Sequence, residues 1–379
     1  MKKLLVSFLL LLIFCTGCKK QEQYTTLQFA SWGSKSEIDI LNPILKEFEK
    51  ENKNVKIEFL HIPQNYFQKI HLLFASNMAP DVIFMNNLYL PIYADFLEDL
   101  TPYVNKSAFF DKTLQALTYD NKILAIPRDA SNMVIYYNKD LFDKYNIPYP
   151  SKNWTQQDLL EIGKKFKQHQ IFAISFEDNP IFYLPYLMSN GGGILSDDLK
   201  TLIINEKSSQ DSLRFYADLR NKYNIAPKKA QSASATMAQM FLQQKLAMHL
   251  SGRWLVPKYR ESATFSWDVI NFPNGTNGSI VPMDASGWSV YKNSKNKDLA
   301  IKFVKYLSSE KNIKLMTQSG LITPARIDVA NSKEFLSDKP KSSYVFVEAI
   351  KTSKPTPVSK NYNEIIDKIN TQNEKLFNK

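Results

Sequence analysis

The feature that most constrains the fold is a regular alternation of strand and helix patterns between residues 27 and 87. Three segments have strand patterns, namely LQFASW, NVKIEFL and APDVIFMNN. Between them, SEIDILNPILKEFEK and QNYFQKIHLLFASN repeat apolar residues at helical spacing. Strands that alternate with helices in this way build a sheet covered by helices. The sequence therefore predicts an α/β fold.

Two of these segments allow sharper predictions. Val55, Ile57 and Phe59 alternate with charged residues, which predicts a strand with one buried face. Pro43 lies inside the first helical pattern, where it removes a backbone donor, so we expect that helix to start late or to kink.

The pattern continues along the rest of the chain. Further strands are predicted for KILAIP, MVIYYN, IFAIS, TLIIN, LAMHL, FSWDVINFP and SGWSVYK, with MVIYYN carrying the chain out of its first lobe. Helices are predicted for NWTQQDLLEIGKKF, NPIFYLPYLMSN, SSQDSLRFYADLRNKY, ATMAQMFLQQ, DLAIKFVKYLSSE and NEIIDKINTQNEKLF. Thr155 is a candidate N-cap. Asp158, at the third helical position, is placed to accept a hydrogen bond from the backbone N–H of Thr155.

The N-terminus has the pattern of an export signal. Lys2 and Lys3 precede an apolar run that ends at Phe14, which is too short to span a bilayer. The stretch CTGC then resembles a bacterial lipobox, although Cys15 stands where leucine is usual. This resemblance predicts a signal peptide over residues 1–17 and a lipid anchor and spacer over 18–23, with Cys18 lipidated at the outer face of the cytoplasmic membrane. The alternative is an ordinary secretory signal with an incidental cysteine.

Both cysteines lie in this leader, which limits the chemistry of the remaining chain. Without thiols it has no internal disulfide, zinc–thiolate site or cysteine nucleophile. Its length predicts two domains, and 44% hydrophobic residues are enough to fill two cores.

The net charge of +11 does not indicate nucleic-acid binding. Lysines are mixed with acidic residues along the helices and form no basic stripe, which is typical of a solvated surface. The four histidines have no paired ligand spacing, so we predict no metal site and no cofactor.

Polar residues follow three early strands. Trp32 and Ser34 follow the first strand, Asn86 and Asn87 follow VIF, and Arg128 and Asp129 follow KILAI. Ligands of open α/β sheets lie beyond the carboxyl ends of the strands. These residues therefore predict a crevice for a small polar molecule.

Tryptophans beside glycines sharpen this prediction. The chain has only 11 glycines, and three of them flank Trp32, Trp254 and Trp288. An aromatic plane in a cleft can stack on the C–H face of a sugar, while Asp, Asn and Arg bind the hydroxyls. The alternative is that these tryptophans fill the cores of the lobes.

From Leu27 to about Phe377 the order of motifs resembles the extracellular solute-binding proteins of ABC importers, in the group that binds maltose and multiple sugars. The motifs that carry the resemblance are APDVIFM, ILAIPRDASNMVIYYNKDLFDKY, QQKLAMHLSGRW, ASGWSVYKNSKNKDLAIKFVKYLSSE and GLITPAR. The resemblance implies a two-lobe periplasmic-binding-protein fold with a hinge and a ligand cleft. It implies lobes over residues 24–129 plus 283–322 and 130–282 plus 323–379. It also implies a monomeric binding protein, not an enzyme, that serves a membrane permease.

The resemblance also implies ligand-binding positions. Trp254 matches an aromatic residue that stacks on sugar, and the other matching cleft positions are Trp32, Ser34, Asn86, Asn87, Asp129, Phe182, Tyr183 and Trp288. Met85 and Leu88 depart from the maltose binders, which have a tryptophan and an acid there.

Other ligands and functions stay open from the sequence. Arg128, Arg253 and Arg326 favour an anionic solute, such as a uronate, sugar phosphate or glycerophosphate diester, unless they bridge the lobes or bind carboxylates. A surface glycosidase would need two carboxylates flanking the cleft, for which Asp129 and Asp284 are candidates. A third alternative is a sensor or adhesin that closes its two lobes on a ligand to give a signal.

Overall fold

The computed structural model describes residues 24–378, in which strands alternate with helices. The strands are β1 Thr25–Ser31, β2 Val55–His61, β3 Val82–Asn86, β4 Thr118–Tyr119, β5 Lys122–Ile123, β6 Ile126–Asn132, β7 Val134–Asn138, β8 Phe172–Ile174, β9 Leu246–Ser251, β10 Trp267–Ile270, β11 Pro282–Val290, β12 Thr323–Pro324 and β13 Lys354–Pro355.

The α-helices lie between these strands and after them. They are α1 Lys35–Glu51, α2 Tyr66–Ala75, α3 Leu90–Tyr93, α4 Asp111–Ala116, α5 Lys139–Lys144, α6 Gln156–Lys167, α7 Pro180–Ser189, α8 Lys207–Asn221, α9 Met237–Leu242, α10 Val256–Ser262, α11 Lys297–Leu307, α12 Glu310–Thr317, α13 Ile327–Ala330, α14 Lys333–Leu336, α15 Tyr344–Thr352 and α16 Tyr362–Phe377. No helix within residues 24–378 has the length and apolar character needed to cross a membrane.

The first sheet has the strand order β12-β6-β11-β3-β1-β2, and β13 also pairs with β11. β1 runs parallel to β2 and β3, whereas β11 is antiparallel to both of its long neighbours, β3 and β6. β6 therefore runs in the same direction as β1 and β3. Every residue of β11 is buried, as expected of a strand in the middle of a covered sheet.

The second sheet has the order β10-β7-β9-β8, and it is built from the chain between the first sheet's β6 and β11. Only Met133 separates β6 from β7, so the chain passes directly from one sheet to the other. The return passes through residues 271–281 into β11, and the chain crosses a third time between β12 in the first sheet and α15 on the second lobe. β13 pairs with the first residues of β11 beside these passages. The protein is thus two α/β lobes joined by three crossing segments.

Each sheet has a hydrophobic cluster on both faces. In the first lobe, α1, α11 and α12 cover one face and α2 covers the other. In the second lobe, α5 to α8 and the C-terminal α16 cover one face, while α9, α10 and α15 cover the other. The C-terminal helix therefore packs in the second lobe.

Several sequence predictions are confirmed in detail. The first three strands occur as predicted, with β2 alternating between partly buried and exposed residues and β3 buried. Thr155 caps α6 and forms a capping box with Asp158. The exact lobe boundaries stay a prediction. β6, which runs to Asn132, and β12 both pair within the first sheet and extend beyond the predicted limits of the first lobe at residues 129 and 322.

Other predictions are wrong. The late start expected of α1 is wrong, because the helix begins at the capping box of Ser34 and continues through Pro43, with buried residues on both sides of the proline. TLIIN is not a strand, since only Leu202 forms an isolated bridge, to Leu195. Arg128 and Asp129 do not follow a strand but lie inside β6, because β11 and β12 continue to pair with that segment.

The Thr155 cap gives a test of local stability. We expect Thr155→Ala to lower the free energy of unfolding by about 1 kcal/mol, because a backbone donor at the start of α6 loses its acceptor. Urea denaturation measures this change. Thr155→Ser keeps the hydroxyl and should stay close to the native stability, so an equal loss in both variants would contradict the role of the hydroxyl as a cap.

Candidate functional site

Strand direction brings the candidate site residues to two facing edges. β1, β3 and β6 all end at the same edge of the first sheet, and β6 leads from that edge into β7. In the second sheet, the last residue of β9, Ser251, pairs with the first residue of β7, Val134. β8 runs parallel to β9 and ends at the same edge. The carboxyl ends of β1 and β3 therefore face those of β8 and β9 across the crossing segments.

Trp32 forms part of the first-lobe wall. It is partly exposed, and its ring packs against Phe84, Tyr66 and Phe67 at centroid distances of 4.3, 4.9 and 5.6 Å. An open depression of about 510 Å³ lies beside it, lined also by Ser34 and His61. The hydroxyl of Ser34 accepts a hydrogen bond from the backbone of Glu37 as the N-cap of α1. Trp32 is thus held by aromatic neighbours while one side of it stays accessible.

Arg128 lies next to this wall in a compact charge network. Its Nε donates to the carboxylate of Asp129, Nη1 lies 3.4 Å from Glu37 Oε1, and the guanidinium stacks 4.2 Å from the Phe84 ring. Burial disfavours the charge of Arg128, but Asp129 and Glu37 outweigh it and raise its pKa. Burial raises the pKa of Asp129, and Arg128 opposes this shift. The positive charge of Arg128 is thus paired within the protein.

Asn86 and Asn87 differ in their roles at the end of β3. Asn86 is partly exposed, donates to Ser286 Oγ over 3.0 Å and accepts from the backbone of Leu88. Asn87 is buried, and its side chain binds Asp284 Oδ1 at 3.3 Å and the backbone N–H of Ala285 at 2.9 Å. Asn87 therefore joins β3 to β11, and only Asn86 keeps a surface for a ligand.

Trp254 forms the matching wall of the second lobe. It is partly exposed, and its six-membered ring folds back over Gly252, so that a Cβ added at Gly252 would lie 1.8 Å from Trp254 Cζ3. The glycine just after β9 is therefore required for this ring position. An aromatic plane is left at the edge that faces the first sheet.

Arg253, beside Trp254, is turned inward. It is 2% exposed, its Nη2 lies 3.1 Å from Asp338, and its guanidinium stacks on Phe335 at 4.4 Å. Burial lowers the pKa of Arg253 to about 10. Asp338 also binds Arg260, so this carboxylate ties α10 and the end of β9 to the segment before α15. Arg253 is a structural residue here.

Three other predicted residues also lie away from the facing edges. Trp288 is 2% exposed inside β11 and packs on Phe84 in the first-lobe core. Tyr183 is fully buried against Tyr216 and Phe377, whereas its neighbour Phe182 is partly exposed. Arg326 binds Asp328 and the carbonyl of Ser308 within the first lobe. Trp32, Ser34, Asn86 and Arg128 therefore lie at or beside one edge of the first sheet, and Trp254 lies at the facing edge of the second.

Two acidic residues at the end of β8 were not predicted from the sequence. Glu177 and Asp178 lie just beyond that strand, and Asp178 lies 3.6 Å from Arg220. The sequence analysis looked for polar residues after three early strands only. Applied to IFAIS as well, the same rule would have identified both residues. Glu37 was also missed, because its partner Arg128 is distant in sequence.

The metal and anchor predictions concern different parts of the chain. Residues 24–378 contain no group of three or more His, Cys, Asp or Glu side chains that could hold a metal ion. Cys18, the predicted lipidation site, lies outside the described residues.

The Gly252–Trp254 contact can be tested without a ligand. We expect Gly252→Ala to push the Trp254 ring outward, because the new methyl group would overlap it. Acrylamide should then quench tryptophan fluorescence more strongly. Gly252→Ala combined with Trp254→Phe is the control, and an increase in quenching that survives in this double variant would contradict the assignment to Trp254.

Asp284 gives a pH-dependent prediction. Burial raises the pKa of Asp284, and hydrogen bonds with Thr356 and Asn87 only partly oppose this. Since folding raises the pKa, the ionised carboxylate destabilises the native state at neutral pH. Asp284→Asn should raise the melting temperature at pH 7, and the gain should vanish as pH falls below 3.8, where both states bind the proton. A gain that is independent of pH would disprove this origin.

Comparison with known proteins identifies the family. A family model of bacterial extracellular solute-binding proteins matches residues 34–314. The galactooligosaccharide-binding protein of Bacillus subtilis is 23% identical over 88% of this chain and 80% of its own length. The maltodextrin-binding protein MdxE of the same organism is 26% identical over 84% of this chain and 78% of its own length.

A solved structure agrees with the predicted fold. The ABC substrate-binding protein Lmo0181 from Listeria monocytogenes, in complex with cycloalternan, is 27% identical to this chain, with a TM-score of 0.83 over 94% of each chain. The predicted two-lobe periplasmic-binding-protein fold is confirmed. The match over most of the sequence and the shared architecture show that the chain belongs to the family of bacterial extracellular solute-binding proteins.

Proposed function

We propose that this protein is the lipid-anchored substrate-binding protein of an ABC transporter, which captures a neutral oligosaccharide and delivers it to the permease. The observation that carries the proposal is the partly exposed Trp254 ring, fixed over Gly252 at the edge facing Trp32 and the end of β3. An aromatic plane of this kind offers a stacking surface for sugar C–H groups. The relatives named for galactooligosaccharide, maltodextrin and cycloalternan support an oligosaccharide.

The ligand is proposed to be neutral because the three candidate arginines already bind carboxylates of the protein. Arg128 is bound by Asp129 and Glu37, Arg253 by Asp338, and Arg326 by Asp328. An anionic solute would have to displace a protein carboxylate from one of these guanidinium groups. The Arg128 side chain is mostly buried and that of Arg253 is buried, so breaking either pair would leave a desolvated charge without its partner. Arg326 is held by exposed Asp328 and by the Ser308 carbonyl within the first lobe, away from the facing edges. The arginines that suggested a uronate or phosphate ligand are therefore already bound within the protein.

Lobe closure is the proposed mechanism. A ligand that touches Trp254 in one lobe and Trp32 and Asn86 in the other stabilises the arrangement in which these groups are close together. The three crossing segments are the places where the backbone can rotate. The permease would then recognise the closed, loaded form.

Export, anchoring and a monomeric state belong to the same proposal. The export pattern of residues 1–17 and the CTGC stretch support attachment through Cys18 to the outer face of the cytoplasmic membrane. The extracellular character of the family agrees with export.

A glycosidase is not supported by the carboxylates. Asp129 is bound to Arg128, and Asp284 is bound to Asn87, so each belongs to a buried structural contact. The relatives are binding proteins, in agreement with the prediction that the chain is not an enzyme.

Calorimetric titration with a panel of malto- and galacto-oligosaccharides tests the proposal. We expect saturable binding of at least one compound, and a rise in melting temperature that grows with ligand concentration. Trp254→Ala should weaken that binding about tenfold or more, because stacking and buried area are lost. Tyr344→Ala is the matched control, since Tyr344 is an exposed aromatic residue on α15 beside β10, at the opposite edge of the second sheet from β8.

Two results would contradict the proposal. The first is the absence of binding across the neutral panel together with binding of an anionic sugar. The second is equal weakening by Trp254→Ala and Tyr344→Ala, because this would show that the aromatic ring at the end of β9 has no special role.

A further inference from the structure

Asp338 lies in the third crossing segment, between β12 and α15, and its carboxylate binds two arginines. Arg253 Nη2 lies 3.1 Å from Asp338 Oδ2, and Arg260 Nη2 donates to the same oxygen. The Arg253 side chain is 2% exposed, whereas that of Arg260 is 23% exposed. Within residues 24–378, Asp338 is the carboxylate that balances the buried charge of Arg253.

The turn that carries Asp338 is itself fixed to the second sheet. Ser342 donates to the Asp268 carboxylate on β10 from its backbone N–H and from its hydroxyl, over 2.9 Å in both cases. Ser343 Oγ lies 2.8 Å from the carbonyl oxygen of Asp338. The carboxylate of Asp338 is therefore presented to the arginines from a well-anchored backbone.

The same group of side chains also touches the first lobe. The Arg253 guanidinium stacks on Phe335 of α14, and Phe335 belongs to a small cluster on which Phe110 of the first lobe packs. Arg260 approaches the loop before β12, because a Cβ added at Gly320 would lie 2.8 Å from Arg260 Nη1. The carboxylate of Asp338 thus holds two arginines at a place where the two lobes meet.

Trp254 follows Arg253 directly, inside one turn of 3-10 helix. On the other side of Arg253, Tyr136 Oη donates to the carbonyl of Gly252 over 2.8 Å. The backbone before the ring is therefore held by Tyr136, and the side chain of Arg253 is held by Asp338. A rotation of this turn that displaced the Trp254 ring would have to break one of these contacts.

We infer that Asp338 and Arg253 are positioning residues for Trp254, and that through them the position of the ring depends on the third crossing segment. This inference rests on the proposed function and adds control of the stacking ring by a carboxylate that does not itself touch the ligand. A buried guanidinium that loses its carboxylate is left with an unpaired charge. Without that carboxylate, Arg253 turns toward water, and Trp254 moves with the backbone that the two residues share.

Asp338→Asn tests the ring position in the full-length protein without any ligand. We expect acrylamide to quench tryptophan fluorescence more strongly than in the native protein, at temperatures well below unfolding. The increase should disappear when Asp338→Asn is combined with Trp254→Phe, because the other tryptophans are not joined to this turn. A stability defect alone would lower the melting temperature and leave the quenching of the folded protein unchanged.

Ligand affinity gives the second readout, with the tightest-binding oligosaccharide of the panel as the probe. We expect Asp338→Asn to weaken binding about 3- to 10-fold, since the ligand must then immobilise a side chain that the native protein already holds in place. Asp338→Glu keeps the charge and should recover most of the affinity. Asp328→Asn is the matched control, because it removes the carboxylate of another arginine pair in the same crossing segment, and should change neither readout.

A second variant keeps the test decisive if Asp338→Asn does not fold. Arg253→Lys preserves the positive charge but loses the planar group that stacks on Phe335 and binds Asp338. It should raise the quenching of Trp254 and weaken binding in the same direction.

The outcomes separate this inference from the function it rests on. Native protein that binds no oligosaccharide overturns the proposed function, whereas the quenching experiment still decides the positioning role. Native quenching and affinity in both Asp338→Asn and Arg253→Lys overturn the inference and leave the function standing. Equal changes in Asp338→Asn and Asp328→Asn would show a general effect of losing a carboxylate, which also overturns it.

Discussion

The structure depends on one tight covalent connection, the single residue Met133 between β6 and β7. Because no loop intervenes, the first residue of the second sheet must lie close to the last residue of β6 in the first sheet. The pairing of Ser251 with Val134 then places the end of β9 at this junction. The positions of Trp254 and of the end of β8 result from that pairing. The site is therefore positioned by strand register rather than by flexible loops.

Charge pairing is the basis for proposing a neutral ligand. The guanidinium groups that first suggest an anionic ligand are bound by Asp129, Asp338 and Asp328. Separating a buried charge from its partner costs several kcal/mol of free energy, on the order of the values for buried ion pairs, so these residues act as structural ties. The proposed site leaves one aromatic ring in each lobe and the amide of Asn86 for the ligand. This set suits hydroxyls better than anions.

Periodicity in the sequence predicted much of the fold, since β2, β3 and α6 require only local patterns. It failed where distant partners decide the structure. α1 continues through Pro43 because its apolar face packs on the sheet, and Asp129 is inside β6 because β11 pairs with it. Trp32 and Trp254 were found from their glycines. The same reasoning put Trp288 in the cleft, whereas the central position of β11 buries it. A glycine next to a tryptophan does not determine whether the tryptophan is buried in the folded protein.

The short β6–β7 link also limits how the two halves can move. With one residue between the strands the halves can rotate about the junction but can hardly slide apart. Displacement in a rotation grows with distance from the pivot. β9 is the immediate neighbour of β7, whereas β8 lies one strand farther, about 10 Å from β7. A rotation that moves Trp254 toward the first lobe would therefore move the end of β8 over a longer distance.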